Sequence, residues 1–512
     1  MEHMIETIEL TKKFGDFVAN DHIHLSVKPQ EIKCIVGENG AGKTTLMNML
    51  YGLVEPTDGK ILIRGREVKM KSPIDAISHG IGMVHQHFML VPSLTVFENI
   101  MLGTEIKKGG VLIDKKKEIE KVKALIEEYH FNLNPMDKIQ DISVGSRQRV
   151  EILKMLYRNV DILILDEPTA VLTPQETDEL IVNLKGLKKQ GKTILIITHK
   201  LREVMEASDS VTVIKAGKVV GSVRTEHTSE QELAQMMVGR SVMLTVKNDT
   251  VVPQDAKVVY QVRDLTTENL FGKKVVNKIT FDVHKGEILG IAGVEGNGQS
   301  ELVKLLSGLM TSSDGSILFE GRDVTNWWPR QIRRAGIGII PEDRYAQGLC
   351  KEMSIGDNCI AGYHDHPTIC RHRLLHRKAI NHKRNEMIET YSIRVGDIKG
   401  NVSSLSGGNA QKIVVARELS EKPRLLIACQ PTRGIDIGSI EAIHKRLLAY
   451  RNQGNCVILI SSELSEIMSL SDRVIVMYKG EISGEIDPKK TGMMEVGLLM
   501  AGIHKEEEEQ SS

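Results

Sequence analysis

The sequence predicts an α/β fold in which one kind of domain occurs twice. The first half alternates short apolar runs of strand type with longer runs of helical periodicity, a pattern typical of a largely parallel sheet covered by helices. The second half repeats this order, and a glycine-rich segment at Gly37 recurs 256 positions later at Gly293. At 512 residues the chain is too long for one hydrophobic core, so we predict two domains.

The individual elements follow from local periodicity. Strands are short runs of apolar and β-branched residues, and helices carry apolar residues three and four positions apart. In the first half we predict strands near 5–10, 32–36, 61–63, 81–84, 161–165, 193–197 and 211–214, and helices near 42–51, 115–130, 147–158 and 175–190. In the second half we predict strands near 258–263, 287–292, 316–319, 336–340, 424–428, 456–460 and 473–477.

A segment without helical periodicity separates the two repeats. Residues 241–257 carry turn formers and a proline, which is typical of a linker. We therefore predict a first domain at 1–240, a linker at 241–257 and a second domain at 258–502. The acidic run in 503–512 is typical of a solvated, disordered tail.

Composition excludes several classes of protein. Lys+Arg and Asp+Glu both number 67. The chain therefore lacks the excess of positive charge that would indicate binding to nucleic acid. The six cysteines are scattered without a Cys-x-x-Cys pair, which favours a reducing cytoplasm. No apolar run approaches the roughly 18–20 residues of a membrane helix, so we expect a soluble chain.

The strongest motif is a complete phosphate-binding loop. It lies between an apolar strand pattern and an apolar helix pattern, which makes a glycine-rich turn without a ligand a poor alternative. Glycines let backbone N–H groups turn towards the β- and γ-phosphates of a nucleotide, while the lysine adds a positive charge and the first threonine a hydroxyl for Mg²⁺. The predicted nucleotide-binding residues are Gly37, Glu38, Asn39, Gly40, Ala41, Gly42, Lys43, Thr44 and Thr45.

A second motif places two carboxylates at the end of an apolar strand. Residues 162–167 read Ile-Leu-Ile-Leu-Asp-Glu. We predict that Asp166 holds Mg²⁺ through water and that Glu167 orients the water that attacks ATP. The alternative is an edge strand with solvated acids.

Two further residues are weaker candidates. His199 follows a strand and could contact a γ-phosphate or the attacking water, although a histidine at such a position often has a structural role. Gln86 follows another short strand and could reach the metal or the water.

The order of these motifs, with Ser-Val-Gly-Ser at 143–146 and Leu-Ser-Gly-Gly-Asn at 405–409, resembles the ATP-binding cassette family. Pro-Glu-Asp-Arg at 341–344 and Gln-Pro-Thr-Arg-Gly-Ile-Asp at 430–436 resemble the tandem-cassette ATPases of bacterial sugar and nucleoside importers. The stretch that begins at His85 looks most like the nucleoside-uptake branch. The resemblance implies two fused nucleotide-binding domains, each with a mainly parallel sheet core, an antiparallel β subdomain and a helical subdomain.

The family resemblance also implies how the sites are composed. Cassettes of this family pair head to tail, so the signature of one serves the ATP held by the other. The signature implied to complete the Lys43 site consists of Ser406, Gly407, Gly408 and Asn409. Phe14 stands where the family places an aromatic ring that stacks on adenine, with core packing as the alternative, and Phe271 is its counterpart.

The second repeat departs from the pattern at every catalytic position. Gln299 replaces the lysine, Cys429 and Gln430 replace the two acids, Ser462 replaces the histidine and Glu342 replaces the glutamine. The first signature also departs, because it has a valine and a serine at positions 144 and 146. Since a general base alone contributes roughly 10²–10⁴-fold to a rate, we predict a single hydrolytic site.

The resemblance therefore implies the energising subunit of an importer that uses ATP and Mg²⁺. Its partners would be two integral-membrane permease subunits and, through them, an extracellular substrate-binding lipoprotein, with no nucleic acid. We expect it at the cytoplasmic face of the bacterial cell membrane. The alternative is a tandem-cassette translation factor acting on the ribosome, which would have a long charged linker and two catalytic glutamates. A DNA-repair ATPase would need large insertions.

Neither a histidine-rich segment nor the two tryptophans are explained by the importer resemblance. His364, His366, Cys370, His372 and His376 suggest either a zinc site or a solvated face. Trp327 and Trp328 are the only tryptophans, and we predict that they pack against the core, with contact to a partner as the alternative.

Overall fold

A computed structural model describes residues 3–85, 88–108, 112–129, 131–169, 172–239, 246, 248, 250–253, 255–269, 272–294 and 296–503. The chain divides into two compact units, Met1–Val242 and Met243–Ser512. Each unit combines a six-stranded sheet, a four-stranded antiparallel sheet and covering helices. The predicted duplicated α/β fold is therefore confirmed.

The strands of the first unit are β1 (Ile5–Phe14), β2 (Phe17–Val27), β3 (Ile32–Val36), β4 (Asp58–Ile63), β5 (Arg66–Val68), β6 (Ile81–Val84), β7 (Lys107–Lys108), β8 (Leu112–Ile113), β9 (Ile162–Asp166), β10 (Thr193–Ile197), β11 (Ser210–Lys215) and β12 (Lys218–Arg224). Six of them form the main sheet in the order β12-β11-β3-β10-β9-β6, in which only β12 is antiparallel. The four-stranded sheet has the order β2-β1-β4-β5.

The helices of the first unit are α1 (Lys43–Leu50), α2 (Pro73–Ser78), α3 (Val96–Met101), α4 (Lys115–Glu128), α5 (Val144–Tyr157), α6 (Pro174–Lys189), α7 (Leu201–Ala207) and α8 (Glu230–Val238). Several begin at a side-chain cap, which fixes where the chain turns into the helix. Thr95 and Thr173, for example, each form a capping box with a glutamate three residues later.

The second unit repeats this architecture. Its strands are β13 (Val258–Glu268), β14 (Lys274–His284), β15 (Ile288–Ala292), β16 (Asp314–Phe319), β17 (Arg322–Asp323), β18 (Ile337–Ile340), β19 (Cys370–Arg371), β20 (Leu374–Leu375), β21 (Leu425–Cys429), β22 (Cys456–Ile460), β23 (Arg473–Tyr478) and β24 (Glu481–Ile486). Its helices are α9 (Gln299–Leu306), α10 (Pro329–Ala335), α11 (Ile355–Cys359), α12 (Arg377–Thr390), α13 (Gly407–Ser420), α14 (Ile437–Asn452), α15 (Leu464–Leu470) and α16 (Met493–Met500). The main sheet, β24-β23-β15-β22-β21-β18, matches that of the first unit strand for strand.

The core of each unit lies on the two faces of the main sheet. Every residue of β3, β9 and β10 is buried, and so is every residue of β15, β21 and β22. Parallel strands that are covered on both faces have continuously apolar sequences, and these strands could therefore be predicted from the sequence. Among the helices that the structure describes, none has both the length and the apolar character needed to cross a membrane.

Parts of the predicted linker belong to the second unit. Val246 is buried in its core, and Asn248 Nδ2 donates to the carbonyl O of Leu470 at 3.0 Å and to Asp472 Oδ1 at 2.9 Å. Residues 241–245, 247, 249 and 254 of that linker, and 504–512 of the tail, lie outside the described residues, so the predicted boundaries stay a prediction.

The prediction that both tryptophans pack against the core is half wrong. Trp327 packs on the core of the second unit, with the guanidinium carbon of Arg322 4.4 Å from its ring. Trp328 is 75% exposed, because it is the N-cap residue of α10 and lies outside the apolar face of that helix.

Candidate functional site

Three parallel neighbours in the main sheet of the first unit bring the predicted site residues together. β3 leads into the phosphate loop, β9 ends at Asp166 and is followed by Glu167, and β10 precedes His199. Because neighbouring parallel strands end at the same edge, these residues lie beside Lys43 at the carboxyl edge of the sheet. Gln86, which follows β6, lies outside the described residues.

The phosphate loop needs its glycines for steric reasons. Gly40 and Gly42 have positive φ angles of 79° and 100°. A methyl group on Gly42 would lie 2.4 Å from the carbonyl O of Ala19, and one on Gly37 would lie 2.2 Å from that of Ile214. The backbone of the phosphate loop can therefore pack against these carbonyl groups only because its glycines have no side chain.

The sequence did not identify a residue that supports this loop. Asn20, on β2, is fully buried, and its Nδ2 donates to the carbonyl O of Gly42 at 3.1 Å. Its only signal in the sequence is one amide among several polar residues of β2, and periodicity does not single it out. The amide fixes the turn immediately before α1.

Lys43 begins α1 and points back into the loop. Its Nζ donates to the carbonyl O of Gly37 at 2.6 Å and to that of Glu38 at 3.0 Å. Burial lowers the pKa of Lys43, and the nearby charges of Glu167 and Asp166 oppose that shift. Of the other predicted loop residues, Ala41 is buried, Gly42, Glu38 and Thr45 are half-buried, and Asn39, Gly40 and Thr44 are exposed.

Asp166 is a buried carboxylate next to a second acid. Burial and the charge of Glu167 raise the pKa of Asp166 to about 6, with Lys43 acting in the opposite direction. β9 lies between β10 and β6, so the alternative of an edge strand with solvated acids is wrong. A buried carboxylate at this edge and the exposed hydroxyl of Thr44 supply the oxygen ligands that Mg²⁺ prefers, and the residues therefore fit that ion.

Glu167 and His199 form a direct pair. His199 Nδ1 lies 2.9 Å from Glu167 Oε1. Burial would raise the pKa of Glu167, but the hydrogen bond and charge of His199 and the charge of Lys43 together hold it below its usual value. Glu167 therefore stays ionised at neutral pH and can accept a proton from water.

The backbone at Glu167 is unusual for a residue with a side chain. Its φ of 46° lies in the left-handed region, and its N–H donates to the carbonyl O of Ile197 at 2.9 Å. Strained backbone of this kind persists where surrounding structure determines it, often at functional sites. At this position the carboxylate of Glu167 contacts His199.

Phe14 lies on the surface near the tip of a hairpin. Its side chain is 50% exposed, which contradicts the alternative of core packing. Lys12 Nζ lies 5.0 Å from the ring centre, and Phe17 is the cross-strand partner of Phe14. Phe14 therefore has a ring face available for stacking, whereas Phe271 lies outside the described residues.

The two signature segments each begin a helix. Ser143 is the N-cap of α5 and accepts from the backbone N–H of Ser146 at 3.1 Å. Ser406 is the N-cap of α13, and its Oγ also accepts from Asn409 Nδ2 at 2.9 Å. Serine caps at helix N-termini present N–H groups of the kind that bind anions.

The equivalent edge of the second unit has the same shape and different chemistry. Gln430 has a φ of 47°, its N–H donates to the carbonyl O of Ile460 at 2.7 Å, and its Oε1 accepts from Ser462 Oγ at 3.1 Å. Cys429 takes the place of the aspartate, and burial raises the pKa of its thiol, which keeps it neutral. A neutral amide and a neutral thiol cannot act as a base or neutralise a metal.

The histidine-rich segment provides no cluster of metal ligands in the described part of the chain. His366 Nδ1 contacts Thr368 Oγ1 at 2.8 Å, and His376 is the N-cap of α12. No group of three His, Cys, Asp or Glu residues among those described could hold a metal ion. The histidine side chains of the segment are exposed to solvent.

Comparison with known proteins identifies relatives over the whole chain. Residues 20–170 and 276–433 match the ABC transporter family. The nucleoside import ATP-binding protein NupA of Lactococcus lactis is 46% identical over 98% of both chains, and the guanosine import ATP-binding protein NupO of Bacillus subtilis is 46% identical over 99% of both. The ribose import ATP-binding protein RbsA of Yersinia pestis is 36% identical over 98% of both chains.

A solved structure shares the fold at lower identity. It contains an archaeal ribosome recycling factor in complex with a ribosomal stalk protein, and it covers 93% of this chain and 89% of its own with a TM-score of 0.60. At 18% identity this likeness shows the fold alone.

Proposed function

The chain belongs to the ABC transporter family, and from this premise we propose that it is the ATP-hydrolysing subunit of an importer with one hydrolytic site, in the first cassette. By cassette we mean each of the two units. One observation carries the proposal: in the first cassette an ionised Glu167, paired with His199, lies at the same edge as the buried Lys43. This set supplies both phosphate binding and water activation.

The phosphate loop would bind the triphosphate of ATP. Its N–H groups and the N-terminus of α1 favour anions, and the Lys43 ammonium, now donating to two loop carbonyls, would contact the β- and γ-phosphates. Phe14 would stack on the adenine ring through its exposed face. The loop binds and orients the nucleotide without taking part in proton transfer.

Glu167 would orient the attacking water and accept its proton. The pair with His199 fixes the carboxylate, and the lowered pKa keeps it ionised at the pH of the cell. His199 acts first as the group that holds Glu167, with its other ring nitrogen left to face the γ-phosphate. Together they place a base opposite the bond that breaks.

Thr44, Asp166 and Gln86 would hold Mg²⁺, which when bound neutralises charge on the phosphates. Asp166 is suited to this because its buried carboxylate lacks a full counter-charge: its pKa is raised in spite of Lys43. The role of Gln86 rests on the family resemblance.

The transported molecule would be a nucleoside, with a simple sugar as the second candidate. Two relatives at 46% identity are named for nucleoside or guanosine import, and a ribose relative is 36% identical. On this proposal, two membrane permeases and a substrate-binding lipoprotein are the partners, and the chain works at the cytoplasmic face of the membrane. For the alternative of a translation factor, the likeness to the ribosome recycling factor at 18% identity shows the fold alone.

A deletion strain tests the proposal. Loss of this chain should abolish uptake of radiolabelled nucleoside, and the wild-type gene should restore it while a Lys43→Ala gene should not. Membrane subunits should purify with the tagged chain. Normal nucleoside uptake in the deletion strain, with ribose uptake lost instead, would transfer the assignment to sugar import. Unchanged uptake of both would contradict the importer proposal.

A further inference from the structure

The second cassette contains an arginine, Arg344, that has no role in the proposed catalytic site. Arg344 begins a single π-helical turn, Arg344–Gly348, just after the end of β18. Its Nη1 donates to the carbonyl O of Arg433 at 2.7 Å, and its Nη2 donates to that of Gly434 at 3.2 Å. The guanidinium thus bridges two successive carbonyls of the loop after β21, a planar two-pronged geometry that lysine lacks.

The same guanidinium lies against the signature. A methyl group on Gly407 would be 2.9 Å from Arg344 Nη2 and 3.2 Å from the carbonyl O of Gly434. The next residue is equally enclosed, since a methyl group on Gly408 would be 2.5 Å from Asp436 Oδ2. Both signature glycines therefore pack directly against the loop that Arg344 holds.

We propose that Arg344 is a positioning residue for the signature of the second cassette, which it holds in the geometry that catalysis requires. Ser406 is the N-cap of α13, so any shift of Gly407 moves the serine Oγ and the first N–H groups of the helix together. A misplacement of about 1 Å can lower a rate about 100-fold. The proposal rests on the proposed function and on the implied role of this signature in the Lys43 site.

The support around Arg344 extends to the phosphate loop of the same cassette. Arg433 Nη1 lies 3.2 Å from Glu342 Oε1, and Glu342 Oε2 accepts from Ser300 Oγ at 2.7 Å. The first repeat has Phe88 and Ala170 at the positions of the two arginines. Arginine therefore stands at both positions in the sequence of the cassette whose signature has two glycines, and at neither position in the other.

The test compares Arg344→Gln and Arg344→Lys in the full-length chain. We expect Arg344→Gln to lower kcat for ATP about 10- to 100-fold with KM and ATP affinity within about twofold of wild type, because only the geometry of the signature changes. Arg344→Lys should give a smaller loss, since one amino group cannot bridge both carbonyls. Arg330→Gln removes an exposed arginine that pairs with Asp365 in the same cassette, and this matched control should leave kcat unchanged.

A kcat for Arg344→Gln within about twofold of wild type would overturn the proposal, and so would a loss of kcat accompanied by an equal loss of ATP affinity. If Arg344→Gln does not fold, Gly407→Ala provides the second test. Its methyl group should displace the guanidinium and lower kcat similarly, and combining it with Arg344→Lys should add little further loss, whereas full additivity would contradict the contact. Lys43→Ala in the same assay distinguishes failure of the proposed function from failure of the role of Arg344. Wild-type turnover of Lys43→Ala would contradict the proposed function. Loss of turnover in Lys43→Ala, together with normal turnover in Arg344→Gln, would overturn only the role of Arg344.

Discussion

The carboxyl edges of the two main sheets have the same backbone and opposite chemistry. Glu167 and Gln430 share a left-handed φ, at 46° and 47°, and each donates its N–H to the last residue of the neighbouring strand. Each also pairs with the residue at the histidine position, His199 in one cassette and Ser462 in the other. The fold therefore maintains the geometry of the site whether or not the catalytic groups are present.

The difference lies in charge. In the first cassette a lysine and two acids lie at one edge of the sheet, and burial, the charges of these groups and the hydrogen bond from His199 together shift all three pKa values. In the second, Gln299, Cys429 and Gln430 are neutral, and the carboxylate of Glu342 is bound by Ser300 and Arg433. On the proposed function, the shared geometry is not sufficient for hydrolysis, which also requires the ionised groups of the first cassette.

The largest effect should come from Glu167→Gln, which makes the first cassette resemble the second. Turnover should fall at least about 100-fold, because the base that accepts the proton of water is gone. Equilibrium binding of ATP should persist, since the amide leaves the phosphate loop intact. Phosphate release and filter binding provide the two readouts, and more than about a tenth of wild-type turnover would contradict the assignment.

A nearly equal effect should distinguish the two signatures. Ser406→Arg should lower turnover about as much as Lys43→Ala, because the signature serine and its N–H groups stabilise charge in the transition state. Ser143→Arg, the matched change in the first cassette, should be mild. This pairing comes from the family resemblance and stays a prediction. A silent Ser406→Arg beside an inactive Ser143→Arg would reverse it.

A smaller effect concerns stability without metal. Asp166→Asn should raise the free energy of unfolding by about 1–3 kcal/mol at pH 7.5 in EDTA, since it removes a buried carboxylate next to Glu167. The raised pKa of Asp166, about 6, sets the upper end of the pH range over which this gain in stability develops. Below about pH 4 the carboxyl is protonated in both states and the gain should vanish, and above about pH 6 it should be complete.

The matched change in the second cassette should have the opposite sign. Cys429→Asp introduces a carboxylate where a neutral thiol is buried, so it should lower stability at pH 7.5. Thermal unfolding across pH 4–8 measures both variants. An Asp166→Asn gain that is independent of pH would show that the charge is not its cause.

Much of the fold could be predicted from the sequence because its central strands are buried on both faces. Ile162–Asp166 and Thr193–Ile197 are continuous apolar runs, and the periodicity placed them within one residue of their observed bounds. The edge strand β12 was missed, since only alternate residues are partly buried and Lys218 and Arg224 are exposed. Strand β2 was also missed, because polar residues interrupt its apolar ones and no continuous apolar run marks it.

The sequence predicted that Lys43, Asp166, Glu167 and His199 lie at one edge of the sheet, but it did not predict most of their contacts. Lys43 and the acid pair follow from motifs with a fixed chemical purpose, but the pairing of His199 with Glu167 depends on two strands that are distant in sequence. Asn20 escaped notice because a single polar residue carries no periodic signal, and Arg344 was noted as part of a motif whose contacts the sequence does not show. The exposure of Trp328 was also missed, since an aromatic residue usually indicates a core position.

Exchanging the proposed catalytic carboxylate between the cassettes tests whether ATP is hydrolysed by the first cassette alone. The double variant Glu167→Gln, Gln430→Glu moves the carboxylate to a backbone of matching conformation. We predict that steady-state phosphate release stays at the level of Glu167→Gln alone, because Gln299, Cys429 and Ser462 still lack the charge and the positioning that the reaction needs. Recovery of more than about a tenth of wild-type turnover would contradict it.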